Sequence, residues 1–582
     1  MKNFLRNSLC MLLLAAMFSS CSSKAPKEAK YIPKDASFVF IADPQQMQEK
    51  LQKGGISVDT LIARLFKNDP TDSKDRKEFD EFAKNAGIDW NGKLFVFVQQ
   101  KTYPDKSNAN TFNVLGSLKD PAKWEAYLQK EAETKKTPIQ KEKDFSYIVK
   151  SDGTLLSWNK DQLIVSNHTH MVLPRSPFDT ITEPNNQAPA YDVTKEVKEE
   201  VTRYYTQKAS ESMADLKPFT NMFKDKADGY LFSSSSSAMA GLSMLPFQIP
   251  KLEELLKDNY STATLAFEEG KILMKSTAYT NPMVSNLMKQ YSGPTVDLSL
   301  IEHFPASRIN GFMLAAVNPA IIGGVLKQLE VEGLVDNFMQ KAGFTAEDFY
   351  KAFKGDLAIA IADLGITGIE PQMKTDERSM VKKQAWGKIL VNAPVGDKAA
   401  FYKIMDKAVE MGVLVKQNNI YKTAPAVRGM AGFIGMDVFI QADEKNLVMA
   451  SDSLTYAQYM AKTSTVNIDK DILDRFKGKT GAFYFDIANT IGGFMKDSTG
   501  GYSRSMLTAK QTFRDMIGSV DQFEGNSVKS VFEVRMQDAK QNSLVTLTRL
   551  CTDIAVDMRV MAKKEADESA FPAGVPAIIR TN

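Results

Sequence analysis

Two histidines separated by one residue are the strongest candidates for chemistry in this sequence. His168 and His170 flank Thr169, and alternate residues of a β-strand point to the same face, a spacing that metal sites use. No cysteine or acidic cluster lies beside them, so further ligands would have to come from distant parts of the chain. The remaining histidine, His303, is isolated. We therefore predict a solvated strand end here, with no metal and no cofactor.

A second stretch imitates a phosphate-binding loop. Residues 87–93 (GIDWNGK) have its glycine and lysine spacing, but Leu94 follows where a serine or threonine would hold magnesium. The stretch also precedes a predicted strand, whereas a phosphate loop follows a strand and opens a helix. The matching stretch later in the chain has Asp356 after Gly355. We predict that both stretches are turns.

Local signatures of hydrolytic catalysis are missing from the sequence. Neither G-x-S-x-G nor H-E-x-x-H occurs, and the serine run at residues 233–237 has no histidine nearby in sequence to act as a base. The acidic pairs Glu268-Glu269 and Asp443-Glu444 fall at predicted hairpin turns, where they favour solubility over acid and base work. The sequence assigns no catalytic residue and leans against an enzyme, although a site built from distant residues would leave no local signature.

Methionine and phenylalanine give the one compositional hint of binding. The chain has 28 Met and 34 Phe, and two stretches rich in small and apolar residues cover 238–250 and 429–439. Methionine is flexible and polarizable, so such stretches can line a groove for acyl chains or peptides. Packing in the core is the alternative, and we favour it.

The first residues carry an export signal. Lys2 and Arg6 precede a short apolar run that ends in small residues before Cys21, and this run is too short to span hydrocarbon. Phe18 stands where a lipobox has leucine, so a free secreted form is the alternative. We predict a lipoprotein signal peptide over residues 1–20, lipidation of Cys21 and a tether over residues 21–30.

Cysteine usage and charge limit the remaining classes. Cys551 lies in an apolar stretch that we interpret as a buried strand, and no intrachain disulfide is available after the signal is removed. The mature chain is nearly neutral, which does not favour nucleic acid or anionic lipid as a partner. The predicted partners are the membrane through the lipid, and an envelope protein or an apolar ligand.

The rest of the chain reads as an internal duplication. YIPKDASFVFIADPQQM from Tyr31 recurs as HFPASRINGFMLAAVNPAII from His303, and five further matches follow in the same order. Such a long period implies paired domains instead of a solenoid. We predict copies over residues 31–296 and 303–560 and a C-terminal tail over residues 561–582.

Within each copy, hydrophobic periods of two and 3.6 alternate. Residues 37–43 read as a strand, helices begin at Pro44 and at Asp120-Pro121, and a final hairpin turns at Glu269-Gly270. We predict an α+β fold in which each copy is an antiparallel sheet with helices mainly on one face. Split β-α-β-like elements and an added strand, helix and hairpin would build it.

The signal, the opening YIPKDASFVFIAD and the doubled pattern resemble an uncharacterised family of Bacteroidetes envelope lipoproteins, known only as a domain of unknown function. The resemblance covers nearly the whole mature chain and brings no activity or catalytic residue. Surface-exported lipoproteins of that phylum have an acidic run after the lipidated cysteine, whereas Ser22-Ser23-Lys24 follows here. The resemblance therefore implies the outer membrane facing the periplasm, with surface exposure as the alternative.

Three classes of function remain. The first is a non-enzymatic interaction or structural module, because no catalytic signature is present. The second is a carrier or sensor of an apolar ligand, a lipid or a peptide, bound between the two copies. The third is an envelope hydrolase with a dispersed site, which no feature specifically supports.

Overall fold

The computed structural model describes most of the chain. The described residues are 25–57, 60, 77, 80–103, 107–171, 191–235, 249–306, 309–369, 382–418, 420–425, 427, 439–463, 468–495 and 504–555. Cys21, the C-terminal tail and nearly all of the stretches 238–250 and 429–439 lie outside them. No helix within the described residues is both long enough and apolar enough to cross a membrane.

Twenty strands form the framework of the part of the chain that the structure describes. They are β1 (Phe38–Ala42), β2 (Leu94–Thr102), β3 (Asn108–Ser117), β4 (Gln140–Lys141), β5 (Ser146–Val149), β6 (Leu155–Trp158), β7 (Gln162–Met171), β8 (Gly229–Ser234), β9 (Tyr260–Glu268), β10 (Lys271–Tyr279), β11 (Ile309–Ala316), β12 (Asp356–Ile369), β13 (Lys382–Pro394), β14 (Leu414–Gln417), β15 (Ile420–Thr423), β16 (Phe439–Ala442), β17 (Asn446–Ala450), β18 (Gly481–Phe485), β19 (Phe513–Val520) and β20 (Ser527–Met536).

Helices connect and cover these strands. They are α1 (Pro44–Lys53), α2 (Pro121–Lys135), α3 (Val193–Thr206), α4 (Lys217–Asn221), α5 (Leu252–Leu256), α6 (Pro282–Gln290), α7 (Ser299–Glu302), α8 (Ala320–Gln328), α9 (Glu332–Lys341), α10 (Ala346–Ala352), α11 (Lys398–Glu410), α12 (Ser453–Met460), α13 (Lys470–Asp474), α14 (Ile487–Met495) and α15 (Arg504–Thr512). Short 3-10 turns cover Lys27–Tyr31, Ala209–Glu211, Met213–Asp215 and Met222–Lys224. Residues 543–555 are also helical.

These twenty strands belong to one sheet, and every neighbouring pair among them is antiparallel. In the first half of the sheet the spatial order is β4-β5-β6-β7-β3-β2-β1-β8-β9-β10. In the second half it is β14-β15-β16-β17-β13-β12-β11-β18-β19-β20. The pairing of β10 with β20 joins the halves. The predicted mixed α and β class with a large antiparallel sheet is confirmed.

Several predicted local elements are confirmed. Helix α1 begins at Pro44, and its N-cap Asp43 accepts a hydrogen bond from the amide of Gln46. Helix α2 begins in the same way, with Asp120 as N-cap and Pro121 as the first residue. Both helices use a capping carboxylate and a proline whose missing amide hydrogen costs nothing at this position. The β9–β10 hairpin turns at Gly270, whose φ of 68° favours glycine.

The prediction that helices cover mainly one face is wrong. Leu155 and Leu156 are adjacent in β6 and point to opposite faces. Leu155 packs in the cluster that includes α3, and Leu156 packs in the cluster that includes α2. In β17, Val448 belongs to the α12 cluster and Leu447 packs against the α11 cluster. Helices therefore cover both faces of each half, because successive strand residues on both faces are apolar.

The predicted split β-α-β elements are also wrong. Such an element needs two parallel strands with a third between them, whereas β1 lies directly beside β2 and antiparallel to it, with Val39 opposite Phe97. Helix α1 therefore lies in the connection between two adjacent antiparallel strands. Burial of Val39 and Phe97 in the same core explains why the two strands are direct neighbours.

The interpretation of the chain near Cys551 needs correction as well. The second half does end in two paired strands, but these are β19 and β20, and the stretch around Cys551 is helical. Cys551 is exposed on that helix and is not buried in a strand. Val545 of this helix is buried and contacts Gly54, just after α1. The stretch 543–555 therefore forms a helix with one buried side, which explains the apolar residues that a strand would also show.

Glu533 links the two halves where β10 pairs with β20, so its charge should contribute to stability. Glu533 of β20 accepts hydrogen bonds from Lys271 Nζ of β10 (3.2 Å) and from Arg475 Nη1 (2.8 Å). Burial raises the pKa of Glu533, but these hydrogen bonds outweigh burial and hold the pKa below its ordinary value. We expect Glu533→Gln to lower the free energy of unfolding by about 1–3 kcal/mol at neutral pH, measured by urea denaturation.

The pH dependence follows from that lowered pKa. The stabilising charge is fully present above the unfolded-state pKa, about 4.3, and its contribution is lost as pH falls through the folded-state pKa. The difference between wild type and Glu533→Gln should shrink over that range. Glu444→Gln is the control, since Glu444 pairs with Lys398 on the surface, and it should leave the midpoint unchanged. Equal effects of the two variants would contradict this role for Glu533.

Candidate functional site

An apolar cavity of about 560 Å³ lies where the two halves meet. The first half contributes the neighbouring ends of β8, β9 and β10 and apolar side chains of α5 and α6. The second half contributes Ile321 and Val325 of α8. The second half therefore supplies one wall of a cavity that the first half otherwise builds.

Two asparagines build the wall that the first half contributes. Asn259 donates hydrogen bonds to the carbonyls of Leu255 and Leu256 (both 2.8 Å), which close the end of α5. Asn281 is the N-cap of α6 and accepts from the amide of Val284 (2.9 Å). The backbone N–H of Asn281 also donates to Asn259 Oδ1 (2.8 Å). This network fixes α5 against α6, and the apolar side chains of both helices line the cavity.

The wall that the second half contributes depends on a close approach of helices. A Cβ atom at Gly324 would lie 2.3 Å from the Tyr291 ring, just after α6. Glycine therefore lets α8 pack directly on the end of α6. An ion pair of 2.5 Å between Lys251, just before α5, and Glu330, just after α8, bridges the same two regions.

The chemistry of the cavity is apolar with a few hydroxyl groups. None of the described residues that line it carries a formal charge. Its polar lining atoms include the hydroxyl groups of Ser233, Ser235 and Thr280. Burial, with a hydrogen bond to Asp258, raises the pKa of Tyr260 to about 12, so its phenol stays neutral. The volume falls within the range of about 300–1,000 Å³ that is typical of ligand pockets.

The cavity adjoins an exposed apolar surface of the sheet. Cross-strand pairing aligns one row of side chains on the same face, in the order Phe112, Val98, Phe38, Ser233, Ser261 and Ala278. The last three line the cavity. Beyond them, Phe38, Leu94, Phe112 and Val114 are 37%, 40%, 48% and 38% exposed, and we call these four residues the outer apolar face. Patches of this kind mark binding surfaces.

The structure overturns the prediction of a solvated end at the histidines. His168 is only 8% exposed, and its ring is hydrogen-bonded to Thr111 Oγ1 (2.8 Å) and to Glu196 Oε2 (2.9 Å). Burial lowers the pKa of His168, with partial compensation by Glu196. Burial and the Glu196 carboxylate raise the pKa of Tyr103 well above its usual range. His168, His170 and Glu196 could together hold a metal ion, whereas His303 lies apart, just after α7.

The two stretches that imitate a phosphate loop are turns, as predicted. Gly87 and Gly355 have φ values of 67° and 108°, and each stretch leads into a strand. Lys93 forms an ion pair with Asp43, the N-cap of α1. Its ammonium group thus neutralises a capping carboxylate.

The remaining candidates lie at strand ends and turns. Ser233 and Ser234 end β8, whereas the last two serines of that run lie outside the described residues. Glu268 and Glu269 lie at the β9–β10 turn, as predicted. Asp443 and Glu444 lie between β16 and β17, also as predicted.

Sequence reasoning missed two contributions to these sites. Glu196 lies 28 positions after His168 in the chain. The only sequence signal for its place near the sheet was its position beside Val197, at the edge of the apolar stripe of α3. The α8 wall was missed as well, although the paired glycines Gly323 and Gly324 inside a helical pattern indicate a close approach of another element.

Comparisons with known proteins assign no activity. A family described as a domain of unknown function (DUF4836) matches residues 29–492. No curated protein matches the chain. A solved structure of TP0453, crystal form IV, is 10% identical, covers 46% of this chain and 85% of that chain, and has a TM-score of 0.23. Crystal form I of TP0453 is 9% identical, covers 44% and 80%, and has a TM-score of 0.22. These likenesses carry no argument about fold or function.

The asparagine network generates a prediction. Asn281 Nδ2 donates to the carbonyls of Glu254 (2.8 Å) and Lys257 (2.7 Å) in addition to its role as N-cap. Asn281→Ala removes the cap and leaves these carbonyls without their donor, so we expect a loss of about 2–3 kcal/mol in the free energy of unfolding. Asn281→Ser retains a capping oxygen and should lose less. Asn286→Ala, on the exposed side of α6, should change little; equal losses in all three variants would contradict the role of Asn281.

Proposed function

Because the chain belongs to the DUF4836 family, whose description assigns no activity, we propose a function from the geometry of the junction cavity. The protein binds an apolar ligand, an acyl chain, between its two halves. The observation that carries this proposal is an apolar cavity of about 560 Å³ whose described lining residues include no charged group.

The surroundings of the cavity support an acyl chain over a charged metabolite. A charged group bound there would gain no counterion from the described lining residues, whereas an apolar chain would cover their apolar surface. The Ser233 hydroxyl can hydrogen-bond to one polar end of a ligand. The hydroxyls of Ser235 and Thr280 already bond to main-chain carbonyls, so toward a ligand they can act as acceptors. Beyond the cavity, the same cross-strand row continues with Phe38, Val98 and Phe112 and so extends apolar surface away from it, which suits a ligand longer than the cavity itself.

The proposed location is the cell envelope. The export signal and Cys21 support a lipoprotein anchored by acylation and held at the outer membrane on its periplasmic side. The Bacteroidetes origin implied by the opening motif belongs to the same proposal. A tethered carrier would act close to the membranes that supply acyl chains.

We further propose that the two halves are diverged copies of one ancestral unit. Support comes from their identical strand order, in which β1 to β10 correspond to β11 to β20. The sequence matches from Tyr31 and His303 fall in the same order. In this proposal the ligand lies at the junction of the copies.

A non-enzymatic interaction module is the second candidate function. The outer apolar face supports it, since Phe38, Leu94, Phe112 and Val114 expose a contiguous surface that a partner protein could bury. An envelope hydrolase gains no specific support from the described residues.

Acylation of Cys21 is directly testable. We expect metabolic labelling with an alkyne fatty acid to tag the wild-type protein and to leave the Cys21→Ser variant unlabelled. Cys551→Ser is the matched control and should label like wild type, because Cys551 does not follow the export signal and is exposed, so its replacement leaves the core intact. Labelling of Cys21→Ser at the wild-type level would remove the lipoprotein proposal.

Ligand binding can be measured with a fluorescent fatty acid. The chain from Ser22 to Asn582 retains every described element and avoids detergent. We expect a polyene fatty acid to bind it with an increase in fluorescence. Ala278→Trp places a large side chain where Ala278 lines the cavity, and it should weaken binding about tenfold or more.

The matched control is the same substitution on an exposed helix surface. Ala126→Trp lies on the exposed side of α2 and should bind the probe like wild type. A wild-type protein that does not bind the probe, and whose native mass shows no bound molecule, would refute the carrier and leave the interaction module. Binding unaffected by Ala278→Trp would place the ligand outside the cavity.

A further inference from the structure

We propose that His168, His170 and Glu196 form a zinc-binding site in the first half of the protein. The site is independent of the junction cavity. Its three side chains reach one point from two elements, β7 and α3, and each offers a nitrogen or oxygen atom of the kind that Zn²⁺ binds.

Strand β7 places both rings on the same face of the sheet. His168 lies opposite Thr111, and His170 lies opposite Ala109, in the pairing with β3. This is the face that α3 covers. The side chains of His168 and His170 are only 2% and 6% exposed, so neither ring is an incidental surface group.

Helix α3 brings the carboxylate into place. Its N-cap Asp192 accepts a hydrogen bond from the amide of Lys195 (3.0 Å), and Val197 and Val201 are fully buried against the sheet. Glu196 is adjacent to Val197. Packing of Val197 against the sheet therefore also holds the Glu196 carboxylate near the two histidine rings. The Glu196 side chain is 15% exposed.

The distances suit a metal with small adjustments. Glu196 Oε2 lies 2.9 Å from His168 Nε2 and 3.9 Å from His170 Nδ1, and the three donor atoms lie within 4.8 Å of one another. A tetrahedral ion with bonds of about 2.0–2.1 Å holds its donors about 3.3 Å apart. The two measured separations lie on either side of that value.

Buried polar atoms without hydrogen-bond partners support a cation at this point. Among the described residues, nine buried side-chain polar atoms have no hydrogen-bond partner, and three of them lie at this cluster, on the face that α3 covers. They are Gln99 Oε1, His170 Nδ1 and Glu200 Oε2. Two of these three atoms are oxygens, and His170 Nδ1 is one of the proposed ligands. A divalent ion would satisfy that nitrogen directly and would offset the charge of Glu196 and Glu200.

The other nitrogen of each ring is already held in place. His168 Nδ1 is hydrogen-bonded to Thr111 Oγ1 (2.8 Å), and His170 Nε2 to Ser107 Oγ (2.9 Å). The His170 ring also stacks on Tyr191 with centroids 3.6 Å apart. Metal-binding histidines show this arrangement, in which an outer partner fixes the tautomer and the ring orientation.

Besides these small shifts in distance, metal binding requires one proton on His168 to move between the two ring nitrogens. Without metal, Nε2–H donates to Glu196 and Nδ1 accepts from the Thr111 hydroxyl. With metal, Nε2 is a ligand and Nδ1–H donates to Thr111 Oγ1. Because a hydroxyl can donate or accept, Thr111 serves both states. Two imidazoles and one carboxylate leave a fourth position open, as in the zinc sites that bind water.

Zinc binding is testable with the chain from Ser22 to Asn582 after removal of metal by a chelator. We expect it to take up one Zn²⁺ in a competition titration against a chromophoric chelator, and to give the intense visible absorption of tetrahedral Co²⁺ when cobalt replaces zinc. His170→Gln and Glu196→Gln should each abolish the tight site. Thr111→Val removes only the outer partner and should weaken binding about tenfold or more.

His303→Gln is the control, since His303 lies outside the cluster, and it should retain one zinc. Circular dichroism of the metal-free proteins separates loss of binding from loss of folding. A wild-type protein without stoichiometric zinc would overturn the proposal whatever the variants do. Undiminished binding in the folded His170→Gln and Glu196→Gln variants would overturn it as well, because the ion would then lie elsewhere.

Discussion

The pairing of β10 with β20 is the interaction on which the rest of the structure depends. Nine residue pairs, from Lys271 opposite Arg535 to Tyr279 opposite Ser527, turn two ten-strand halves into one sheet. The same pairing brings α8 of the second half against α6 of the first half, and so closes the junction cavity. Glu533 adds an ionic link, because it accepts hydrogen bonds from Lys271 across this joint and from Arg475 within its own half. Without this pairing, neither the ionic link nor the second wall of the cavity would form.

The two candidate sites satisfy opposite physical requirements. The junction cavity is open to solvent and has no charged lining among the described residues, so its proposed affinity would come from covering its apolar surface with an apolar ligand. The histidine cluster instead concentrates buried polar groups, whose desolvation is unfavourable unless each group finds a partner. An apolar ligand cannot serve as a partner for the polar groups of the histidine cluster, and a metal ion cannot cover the apolar lining of the cavity. The two proposals therefore concern different ligands and can fail separately.

Local sequence signals predicted the elements that local interactions determine. The Asp-Pro pairs before α1 and α2 specify helix starts through capping and a fixed φ, and Glu269-Gly270 specifies a turn through the φ that glycine tolerates. Strand neighbours and covered faces could not be predicted in this way, because both depend on which apolar surfaces meet. Leu155 and Leu156 look alike in sequence and lie in different cores. Glu196 reaches His168 only because α3 folds back on the sheet, and no residue beside the histidines announces it.

The composition of one cross-strand row explains why a cavity occurs beside an exposed apolar surface. Along this row, the large side chains of Phe112, Val98 and Phe38 give way to Ser233, Ser261 and Ala278. Large residues fill the space above a sheet, whereas small residues leave space unless another element descends onto them. Helices α6 and α8 cover that region from the side and leave the volume open. A ligand chain in this space would replace the missing side-chain volume, and its free end would regain contact with large apolar side chains at Phe38. The change from large to small residues therefore determines both the place of the cavity and the direction in which a long ligand would extend.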